Sequence, residues 1–559
     1  MSKHLLTILV EDYFQVGAFG DLIQEKSWTR FETRYEINTR RVLDLLDTLD
    51  TKATFFVLGW VAERSPELVR EIVSRGHEVA SRGFYHRPLR YLSPEEFRQD
   101  LIKTNKALEN ACGQRIKGYR AAEKLNYERD KWIFEILAEE GFEYDASFLP
   151  RKKTQERYAH KVRTSNGEIW EFPYPTKDLK VGLLPIAGGN YFRQIPYTFM
   201  RIFVNQWIQE SNSPFIFYFH VWELDKNQPR ISAATFLNKI RHYRKLDKME
   251  WIINETLRKH EFCSIAEYLG INAESKILET RTDRPIEQIH LTSNFQIPIT
   301  IVVPCYNEAE VLGFLAKTLA ELETDLEKEG YQAHFIFVDD ASTDKTYEKL
   351  LELFFNKPRV KILRHEKNLG VAAGIMTGLR AAETEIVCSI DCDCSYDPHN
   401  LIKMIPLLTE DVDLVTASPY HPHGMVRNVP KWRLFLSKVA SKLYQRLLNS
   451  EVTTYTSCFR VYRKKRVSNI SLTHTDFLGI AEMMGKILIG GGKVIEWPAT
   501  LEVRLFGFSK MKTMKTILGH LRLMFSLTYL RFFGKAMSIQ TFPSMKTFKS
   551  ERKNEGGNR

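Results

Sequence analysis

The chain of 559 residues has no uncharged apolar run of about 18 residues or more, so the sequence predicts no transmembrane helix. Its first apolar stretch, residues 5–10, is too short for a signal peptide and is followed at once by acidic residues. Only seven cysteines occur, and none of them forms a C-x-x-C pair. A disulfide framework is therefore disfavoured, and we expect a cytoplasmic protein.

Positive charge is in excess, with 80 basic against 69 acidic residues and a net charge of +11. Such an excess suits a nucleic acid, an anionic membrane surface or a phosphorylated substrate. The sequence contains no recognised nucleic-acid-binding module, so we expect no nucleic-acid partner. A chain of this length divides most naturally into two domains of about 250 residues each.

The first predicted domain, residues 1–270, alternates strand and helix patterns, which is typical of a parallel sheet or barrel. Ligands of such folds bind at the carboxyl ends of the strands. Motifs rich in acidic, basic and His residues follow the predicted strands: V-E-D-Y (10–13), S-R-G-F-Y-H (81–86), G-Y-R-A-A (118–122), Y-D-A-S (144–147) and F-H-V-W-E (219–223).

These motifs resemble those of the polysaccharide deacetylase (NodB-homology) family, in the branch whose first motif reads V-D-V-E-D-Y-F. The resemblance implies a distorted (β/α) barrel that binds a divalent metal through one Asp and two His residues. It also implies a second Asp as general base and a late His as general acid for N-deacetylation of a sugar. Asp12, His86 and His220 occupy the positions expected from this family.

Three other positions depart from the family. Leu9 stands where the branch has its first Asp, Arg82 where it has its first metal-binding His, and Arg120 opens R-A-A in place of R-A-P. Leucine accepts no proton, and a guanidinium has no lone pair for a metal. We therefore expect that residues 1–270 have lost the deacetylase reaction and that Arg82 pairs with Asp12 in place of the metal.

The second predicted domain spans residues 297–540. Residues 271–296 are polar and without period, which indicates a linker, and the charged residues 541–559 are predicted to be a disordered basic tail. Four successive predicted strands of the second domain end in polar or acidic residues. The fourth ends in Asp391 and Asp393, and two carboxylates at this spacing can share one divalent cation that keeps positions for phosphate oxygens.

The motifs of this second domain resemble those of family 2 glycosyltransferases with a GT-A fold, close to the dolichyl-phosphate mannosyltransferase-like members. They are P-C-Y-N-E (304–308), V-D-D-A-S-T-D (338–344), N-L-G-V-A-A-G (368–374), D-C-D (391–393), S-C-F-R-V-Y-R (457–463) and E-V-R-L-F-G-F-S-K (502–510). The overall prediction is therefore an α/β protein, with a NodB-like distorted (β/α) barrel followed by a GT-A Rossmann-like domain.

The second resemblance also implies roles for individual residues. Those implied to contact the donor nucleotide are Pro304, Tyr306, Glu308, Asp339, Asp340, Asn368 and Gly370. Those implied to contact the phosphates or the acceptor are Arg433, Arg460, Arg504, Ser509 and Lys510. Asp391 and Asp393 would bind Mg²⁺ or Mn²⁺, and Glu482 resembles the acid near the acceptor. If the acceptor is a sugar hydroxyl, Glu482 or Asp476 is the candidate base.

Two stretches, residues 427–448 and 509–535, combine apolar and basic positions. The apolar positions of the first, such as Trp432 and Phe435, fall on one stripe, which suits either an anionic bilayer surface or a protein core. We predict a glycosyltransferase that moves a sugar from a nucleotide-diphosphate sugar to a polyprenyl phosphate or glycan, for cell-envelope or extracellular polysaccharide synthesis. It would lie on the inner face of the plasma membrane. The alternatives are a bifunctional deacetylase and glycosyltransferase, or a non-catalytic glycan-binding scaffold.

Overall fold

The computed structural model describes residues 3–271, 296–429, 431–507 and 513–533. They form two compact units. The first comprises the residues up to 271 together with the short segments 310–321 and 503–507, and the second comprises the other described residues. The predicted linker, apart from its two end residues, and the predicted tail lie outside the described residues.

The first unit is built on one large sheet. Its strands are β1 (His4–Val10), β2 (Thr54–Val57), β3 (Glu78–Ser81), β4 (Gly118–Tyr119), β5 (Tyr144–Asp145), β6 (His160–Thr164), β7 (Gly167–Glu171), β8 (Thr176–Asp178), β9 (Leu183–Pro185), β10 (Ile216–His220) and β11 (Phe262–Cys263). Its helices are α1 (Tyr35–Thr48), α2 (Gly59–Arg64), α3 (Pro66–Ser74), α4 (Pro94–Cys112), α5 (Tyr127–Asp130), α6 (Ile133–Glu139), α7 (Gly189–Gln194), α8 (Tyr197–Glu210), α9 (Phe236–Tyr243), α10 (Met249–Leu257) and α11 (Ile265–Leu269).

The strands of the large sheet run in the order β10-β1-β2-β3-β4-β5-β7-β6, with β11 also paired to β1, and β8 and β9 form a separate two-stranded sheet. All strand pairs of the large sheet are parallel except β6 with β7. Every residue of β1 is buried, as expected for a central strand covered on both faces. The motifs that follow β1, β3, β4, β5 and β10 therefore share one edge of a half-barrel, which confirms the predicted parallel β/α architecture.

The second unit is built on a seven-stranded sheet with two further short strands. Its strands are β12 (Ile297–Cys305), β13 (Tyr331–Asp339), β14 (Val360–Arg364), β15 (Ile386–Ser389), β16 (Leu414–Ser418), β17 (Met425–Val426), β18 (Arg460–Arg463), β19 (Val494–Pro498) and β20 (Thr500–Leu501). Its helices are α13 (Thr346–Phe354), α14 (Val371–Ala381), α15 (Leu401–Met404), α16 (Lys431–Leu448), α17 (Lys464–Val467), α18 (Phe477–Ile489) and α19 (Thr513–Phe533), together with the part of α12 (Leu312–Lys328) that begins at Leu322.

The order of the seven strands is β14-β13-β12-β15-β18-β16-β19, and β18 alone runs antiparallel to its neighbours. The small-residue helix α14 packs on β12. A Cβ atom added at Gly378 would come within 2.2 Å of Val302, and one at Gly374 within 3.1 Å of Pro304. The glycines thus permit close packing of this helix on the strand.

Helices α16 and α19 pack against each other and against α18. Their inner faces enter the core through residues such as Tyr444 and Leu527. Their outer faces expose large apolar side chains: Trp432, Phe435, Val439 and Leu443 on α16, and Leu518, Leu521, Phe525, Tyr529, Phe532 and Phe533 on α19. The apolar stripe of α16 is therefore not a core stripe. Among the helices described, none combines the length and hydropathy needed to cross a membrane.

Candidate active site

Hydrogen bonds join the loops that follow β12 and β13. Cys305 lies in register with Asp339, and the backbone N–H of Asp340 donates to the Cys305 carbonyl at 2.8 Å. Asn307 has a positive φ of 52°, and its side-chain oxygen accepts the N–H of Thr343 at 2.7 Å. The short polar residues of both motifs thus hold each other in place, and they fix the backbone at this edge of the sheet.

Asp340 organises the third loop of this edge from inside. It is 4% exposed, and its carboxylate accepts the backbone N–H of Leu369 at 2.8 Å and of Gly370 at 2.7 Å. His365 contacts the same carboxylate through Nδ1 at 2.7 Å. Burial alone raises the pKa of Asp340, but His365 and the two N–H groups outweigh it and hold the pKa below its usual value. Asp340 is thus an ionised anchor of the loop predicted to contact the donor.

Gly370 is required where it stands. Its φ is +101°, and a Cβ atom there would come within 2.6 Å of the Thr475 carbonyl oxygen. Asn368 lies in the same loop, where its side-chain amide donates weakly to the Asp340 carbonyl at 3.5 Å. Asp339, one residue before the anchor, is buried beside Arg364, whose Nε lies 3.0 Å from its carboxylate. Burial nevertheless raises the pKa of Asp339.

Three further predicted donor residues lie in the first loop. Pro304 is half-buried at the end of β12, and Tyr306 and Glu308 are half-buried just beyond it. The Glu308 N–H donates to the Thr346 hydroxyl at 2.7 Å, which ties this loop to the start of α13. The structure therefore brings these predicted donor residues to the same sheet edge as Asp340.

Asp391 and Asp393 follow β15 at this edge, as predicted. Both are partly exposed, whereas Cys392 between them is 5% exposed and lies 3.7 Å from the Cys305 sulfur. Oδ1 of Asp393 accepts the N–H and the hydroxyl of Ser395 at 2.9 and 2.6 Å. The turn thus buries the thiol and leaves both carboxylates at the surface of the edge.

The pair fits a hard divalent ion that completes its shell with water and phosphate oxygens. Such an ion is commonly held by one or two carboxylates. The described residues contain no group of three or more His, Cys, Asp or Glu side chains placed to hold a metal, so the protein's share would be the pair alone.

The two candidates for the acceptor base differ in their surroundings. Glu482 is 2% exposed, and its carboxylate accepts the backbone N–H groups of Thr473 and His474, each at 2.8 Å, beside Lys486 at 2.6 Å. Burial raises its pKa, but these donors outweigh it and lower the pKa. Asp476 is exposed and caps α18 through a 3.0 Å hydrogen bond from the Leu478 N–H. Glu482 therefore holds the loop that carries Asp476.

The structure corrects the prediction for Arg460. This side chain is fully buried and donates to the carbonyl oxygens of Ile480 at 3.1 Å and Tyr455 at 2.8 Å, so it joins backbone segments and contacts no phosphate site. Arg504 is half-buried after β20. Arg433 lies on α16 with its side chain outside the described residues, and Ser509 and Lys510 lie outside them altogether.

The first unit gathers a different cluster around Glu11. Glu11 is fully buried and its carboxylate accepts from Arg82 Nε at 2.9 Å and His220 Nδ1 at 2.6 Å. His86 Nε2 lies 3.1 Å from the same carboxylate and accepts from the Arg82 guanidinium at 3.0 Å. Burial raises the pKa of Glu11, but the Arg82 guanidinium, together with His86 and His220 beside the carboxylate, outweighs burial and holds the pKa well below its usual value.

The carboxylate of this cluster is therefore Glu11, and the predicted pair of Arg82 with Asp12 is wrong. The Asp12 carboxylate accepts the backbone N–H groups of Tyr13 at 2.9 Å, Arg34 at 2.6 Å and Tyr35 at 3.1 Å. These hydrogen bonds hold the carboxyl at the start of α1 and lower its pKa, but burial outweighs them and raises the pKa of Asp12 to about 7.

Leu9 and Arg120 are both buried. Leu9 pairs with Phe56 and His220 across the sheet. The guanidinium of Arg120 donates to the Thr7 hydroxyl at 3.0 Å and lies 4.3 Å from the centre of the Tyr218 ring. Neither side chain contributes to the Glu11 cluster.

A divalent metal does not fit this cluster as it stands. The lone pair of His86 Nε2 and one Glu11 oxygen both face the Arg82 guanidinium, which occupies the centre of the cluster. A third donor of Arg82 is bound to the Ala121 carbonyl at 3.0 Å. The guanidinium is always charged and coordinates no metal, so it replaces the ion as counter-charge for Glu11.

Sequence reasoning missed Glu11 because Glu11 and Asp12 are adjacent acids that both follow β1. The signal is the period-two alternation of an extended chain, which places Leu9 and Glu11 on the same face. The acid on the face of Leu9 is therefore Glu11 and not Asp12.

The folds and strand edges define a protein of two α/β units. The second is of the nucleotide-sugar transferase type, and the first is a β/α half-barrel of a sugar-modifying type. A model of Glycosyl transferase family 2 matches residues 300–470, one of Polysaccharide deacetylase matches residues 22–142, and one described as Domain of unknown function (DUF3473) matches residues 147–270. The chain belongs to glycosyl transferase family 2 and carries a polysaccharide deacetylase-like unit before it.

Two curated relatives align with the second unit. A dolichol-phosphate mannosyltransferase of Pyrococcus furiosus is 30% identical over 233 residues, which cover 41% of this chain and 63% of the relative. A polyprenol monophosphomannose synthase of Mycolicibacterium smegmatis is 30% identical over 219 residues, which cover 38% of this chain and 80% of the relative. The first alignment thus leaves more than a third of that relative unmatched.

A solved structure is also similar to the second unit. It is glucosyl-3-phosphoglycerate synthase from Mycobacterium tuberculosis in complex with Mn²⁺, uridine diphosphate and glucosyl-3-phosphoglycerate. It is 18% identical, with a TM-score of 0.32, over 42% of this chain and 80% of the other.

Proposed function

We propose that the second unit is a metal-dependent glycosyltransferase that moves one sugar from a nucleotide-diphosphate sugar to an acceptor. The observation that carries this proposal is the pair Asp391 and Asp393, partly exposed directly after β15. The pair shares its edge with the loop anchored by Asp340, and membership of glycosyl transferase family 2 supports the reaction class.

The pair would hold Mg²⁺ or Mn²⁺, which would neutralise the diphosphate as it leaves. Asp340 would act as a positioning residue that shapes the donor loop. Glu482 would also be a positioning residue, because its oxygens already accept from protein donors. Asp476 is then the better candidate for a general base, should the acceptor be a sugar hydroxyl.

For the acceptor we propose a polyprenyl phosphate, with a glycan as the alternative. The two curated relatives are named for dolichol phosphate and polyprenol phosphate chemistry. A lipid phosphate is already an anion and needs little help from a base, which agrees with a Glu482 that is fully occupied. The product would serve cell-envelope or extracellular polysaccharide synthesis.

A lipid acceptor needs a membrane, and the outer faces of α16 and α19 would supply the contact. Phe435 and Phe525 are 67% and 77% exposed, and Lys438 and Lys442 are exposed beside them. On an anionic leaflet, each such basic residue contributes about 1 kcal/mol of attraction. We propose peripheral binding to the inner face of the plasma membrane.

For the first unit we propose a glycan-binding role without deacetylation, because Arg82 stands where a metal would be needed. The full-length protein should release no acetate from acetylated chitin oligosaccharides with Zn²⁺ or Co²⁺ present. Acetate release that follows metal addition would favour the bifunctional alternative.

The proposed transfer is tested with full-length protein, Mg²⁺ or Mn²⁺ and a panel of nucleotide sugars, with and without a polyprenyl phosphate. Asp393→Asn should abolish transfer, whereas Asp411→Asn, at an exposed acid of the same unit paired with Lys493, should not. Donor hydrolysis without lipid transfer would move the acceptor to a glycan. Absence of donor binding across the panel would contradict the proposal and favour the non-catalytic scaffold.

A further inference from the structure

A half-buried lysine lies at the ligand edge of the first unit without an acidic partner. Lys124 comes three residues after Ala121, whose carbonyl oxygen accepts from Arg82. Its Nζ donates to the Tyr191 hydroxyl at 2.6 Å and lies 4.3 Å from the centre of the Tyr191 ring and 5.2 Å from that of Tyr174. Within the described residues, no carboxylate forms an ion pair with this ammonium group.

The neighbouring charges make the position more positive still. Arg120 and Arg241 both act on Lys124, and together with burial they lower its pKa to about 7, burial being the larger cause. The guanidinium of Arg120 is itself buried among aromatic rings and contacts the Thr7 hydroxyl, without an ion pair to a carboxylate in the part of the chain that is described. Neither cation therefore forms an ion pair with a carboxylate among the described residues, and the charge of Arg120 acts on the buried Glu171.

The acids of the same edge have other partners. Glu11 pairs with Arg82, and Glu223 pairs with Arg193 at 2.8 Å. Asp145 lies opposite Glu171 on paired strands, both fully buried, and burial raises the pKa of both carboxyls. Ionising both of these buried carboxyls would cost much free energy, so the pair holds a proton. It therefore carries less negative charge than two ionised carboxylates would.

The approach of Tyr191 to the lysine is fixed by two glycines. A Cβ atom at Gly188 would come within 2.2 Å of the Tyr218 ring, and one at Gly189 within 2.2 Å of the Glu223 carboxylate. These contacts allow α7 to begin directly against the ends of the sheet, which brings the Tyr191 hydroxyl to Lys124. A buried ammonium group without an anion costs free energy, which is why burial lowers the pKa of Lys124 to about 7, and an anion that meets the group would favour its charged form.

We propose that Lys124 and the Tyr191 ring form a binding site for the anionic group of an acidic sugar, a carboxylate or a phosphate. This inference rests on the proposed glycan-binding role of the first unit and adds the chemical class of the glycan. The ammonium supplies the charge, Tyr191 orients it, and the exposed Arg241 adds positive potential at the edge.

The test uses full-length protein and calorimetric titration with three probes: a galacturonic acid tetramer, a neutral glucose tetramer and glucose 6-phosphate. At pH 6.5, at least one acidic probe should bind ten or more times more tightly than the neutral tetramer. Lys124→Met should remove that preference, and Lys131→Met, at an exposed lysine of the same unit, should not. The proposal would be overturned if the neutral and acidic probes bound equally well, or if the Lys124→Met variant kept the preference for the acidic probe.

A second readout needs no variant. Since the lysine is partly neutral above pH 7, binding of an anion should draw a proton onto it, and titrations at pH 8 in buffers of different ionisation enthalpy should show proton uptake. The groups that face Lys124 are Arg120, Arg241, Tyr174 and Tyr191; the arginines stay charged, and burial raises the pKa of Tyr191. Binding without proton uptake would also overturn the proposal.

The galacturonic acid tetramer carries carboxylates, and glucose 6-phosphate carries a phosphate. Only one of them need bind, and the one that binds identifies the anionic group that the site recognises. Donor hydrolysis by the second unit is measured on the same samples. A protein that hydrolyses donor and ignores acidic sugars refutes the Lys124 site alone, whereas one that binds acidic sugars and hydrolyses no donor refutes the transferase alone.

Discussion

Replacing Arg82 by Met is the sharpest perturbation of the first unit. The change leaves the fully buried Glu11 carboxylate without the guanidinium that lies 2.9 Å away. Removing one partner of a buried ion pair typically costs about 3–5 kcal/mol, because the remaining charge stays desolvated. At roughly 2–4 °C per kcal/mol for a unit of this size, we expect the melting temperature of the first unit to fall by roughly 6–20 °C.

The cost should depend on pH in a defined direction. In the native protein the pKa of Glu11 lies well below its usual value, so its contribution to stability is present at neutral pH and is lost as pH falls toward that lowered pKa. Without Arg82, the largest of the effects that lower the pKa of Glu11 is lost, so that pKa rises from its native value while His86 and His220 still act on it. The destabilisation is then largest at pH 7.5 and shrinks toward pH 5, where the carboxyl is protonated more readily.

Calorimetry of the full-length chain measures the transition, and hydrogen exchange of β1 and β3 assigns it to the first unit. Glu11→Gln combined with Arg82→Met should lose at least about 2 kcal/mol less than the sum of the two single changes, since both charges leave together. Arg40→Met removes an exposed pair with Glu71 and should cost about 1 kcal/mol or less. An Arg82→Met protein no less stable than Arg40→Met would refute the reasoning.

Three further predictions concern the second unit. Glu482→Ala should destabilise it by about 1–3 kcal/mol by leaving two backbone N–H groups unpaired, measured by chemical denaturation; unchanged stability with lost transfer would instead assign Glu482 to the chemistry. Gly370→Ala should weaken donor binding, since the backbone there has positive φ and no space for a methyl group, whereas Gly313→Ala, which meets nothing within 4 Å, should not. Phe525→Glu should reduce sedimentation with anionic vesicles at least several-fold, and equal sedimentation would argue against a membrane face of α19.

Much of the candidate site at the sheet edge of the second unit was predictable from the sequence. Each motif followed a strand, and the buried apolar pattern of that strand fixed the direction of the strand. Asp391, Asp393 and Asp340 all fall at strand ends, where the parallel sheet brings them together. The pattern could not show which donors would reach each carboxylate. The N–H groups that occupy Glu482 come from residues eight and nine positions earlier in a loop, and such long-range pairing leaves no periodic signal.

Arg460 shows the opposite failure. A basic residue in the motif of a phosphate-binding family was expected to face phosphate, yet β18 lies between β15 and β16, and a side chain there faces a packed layer. Two nitrogens of the guanidinium donate to the carbonyl oxygens of Tyr455 and Ile480, five and twenty residues away in the sequence. Residue type suggested charge recognition, whereas the position in the sheet imposed a structural hydrogen-bonding role.

The Glu11 cluster bears on both the proposed loss of deacetylation and the fold that the first unit keeps. A buried carboxylate at the end of a central strand requires a positive counter-charge, and either a divalent ion or a guanidinium supplies it. Arg82 supplies it from within the chain, with donors to Glu11, His86 and the Ala121 carbonyl. The buried carboxylate thus has its counter-charge from the chain itself, which supports the proposal that the first unit does not deacetylate. On this argument the edge persists for recognition, and the unpaired Lys124 is where its charge now faces a ligand.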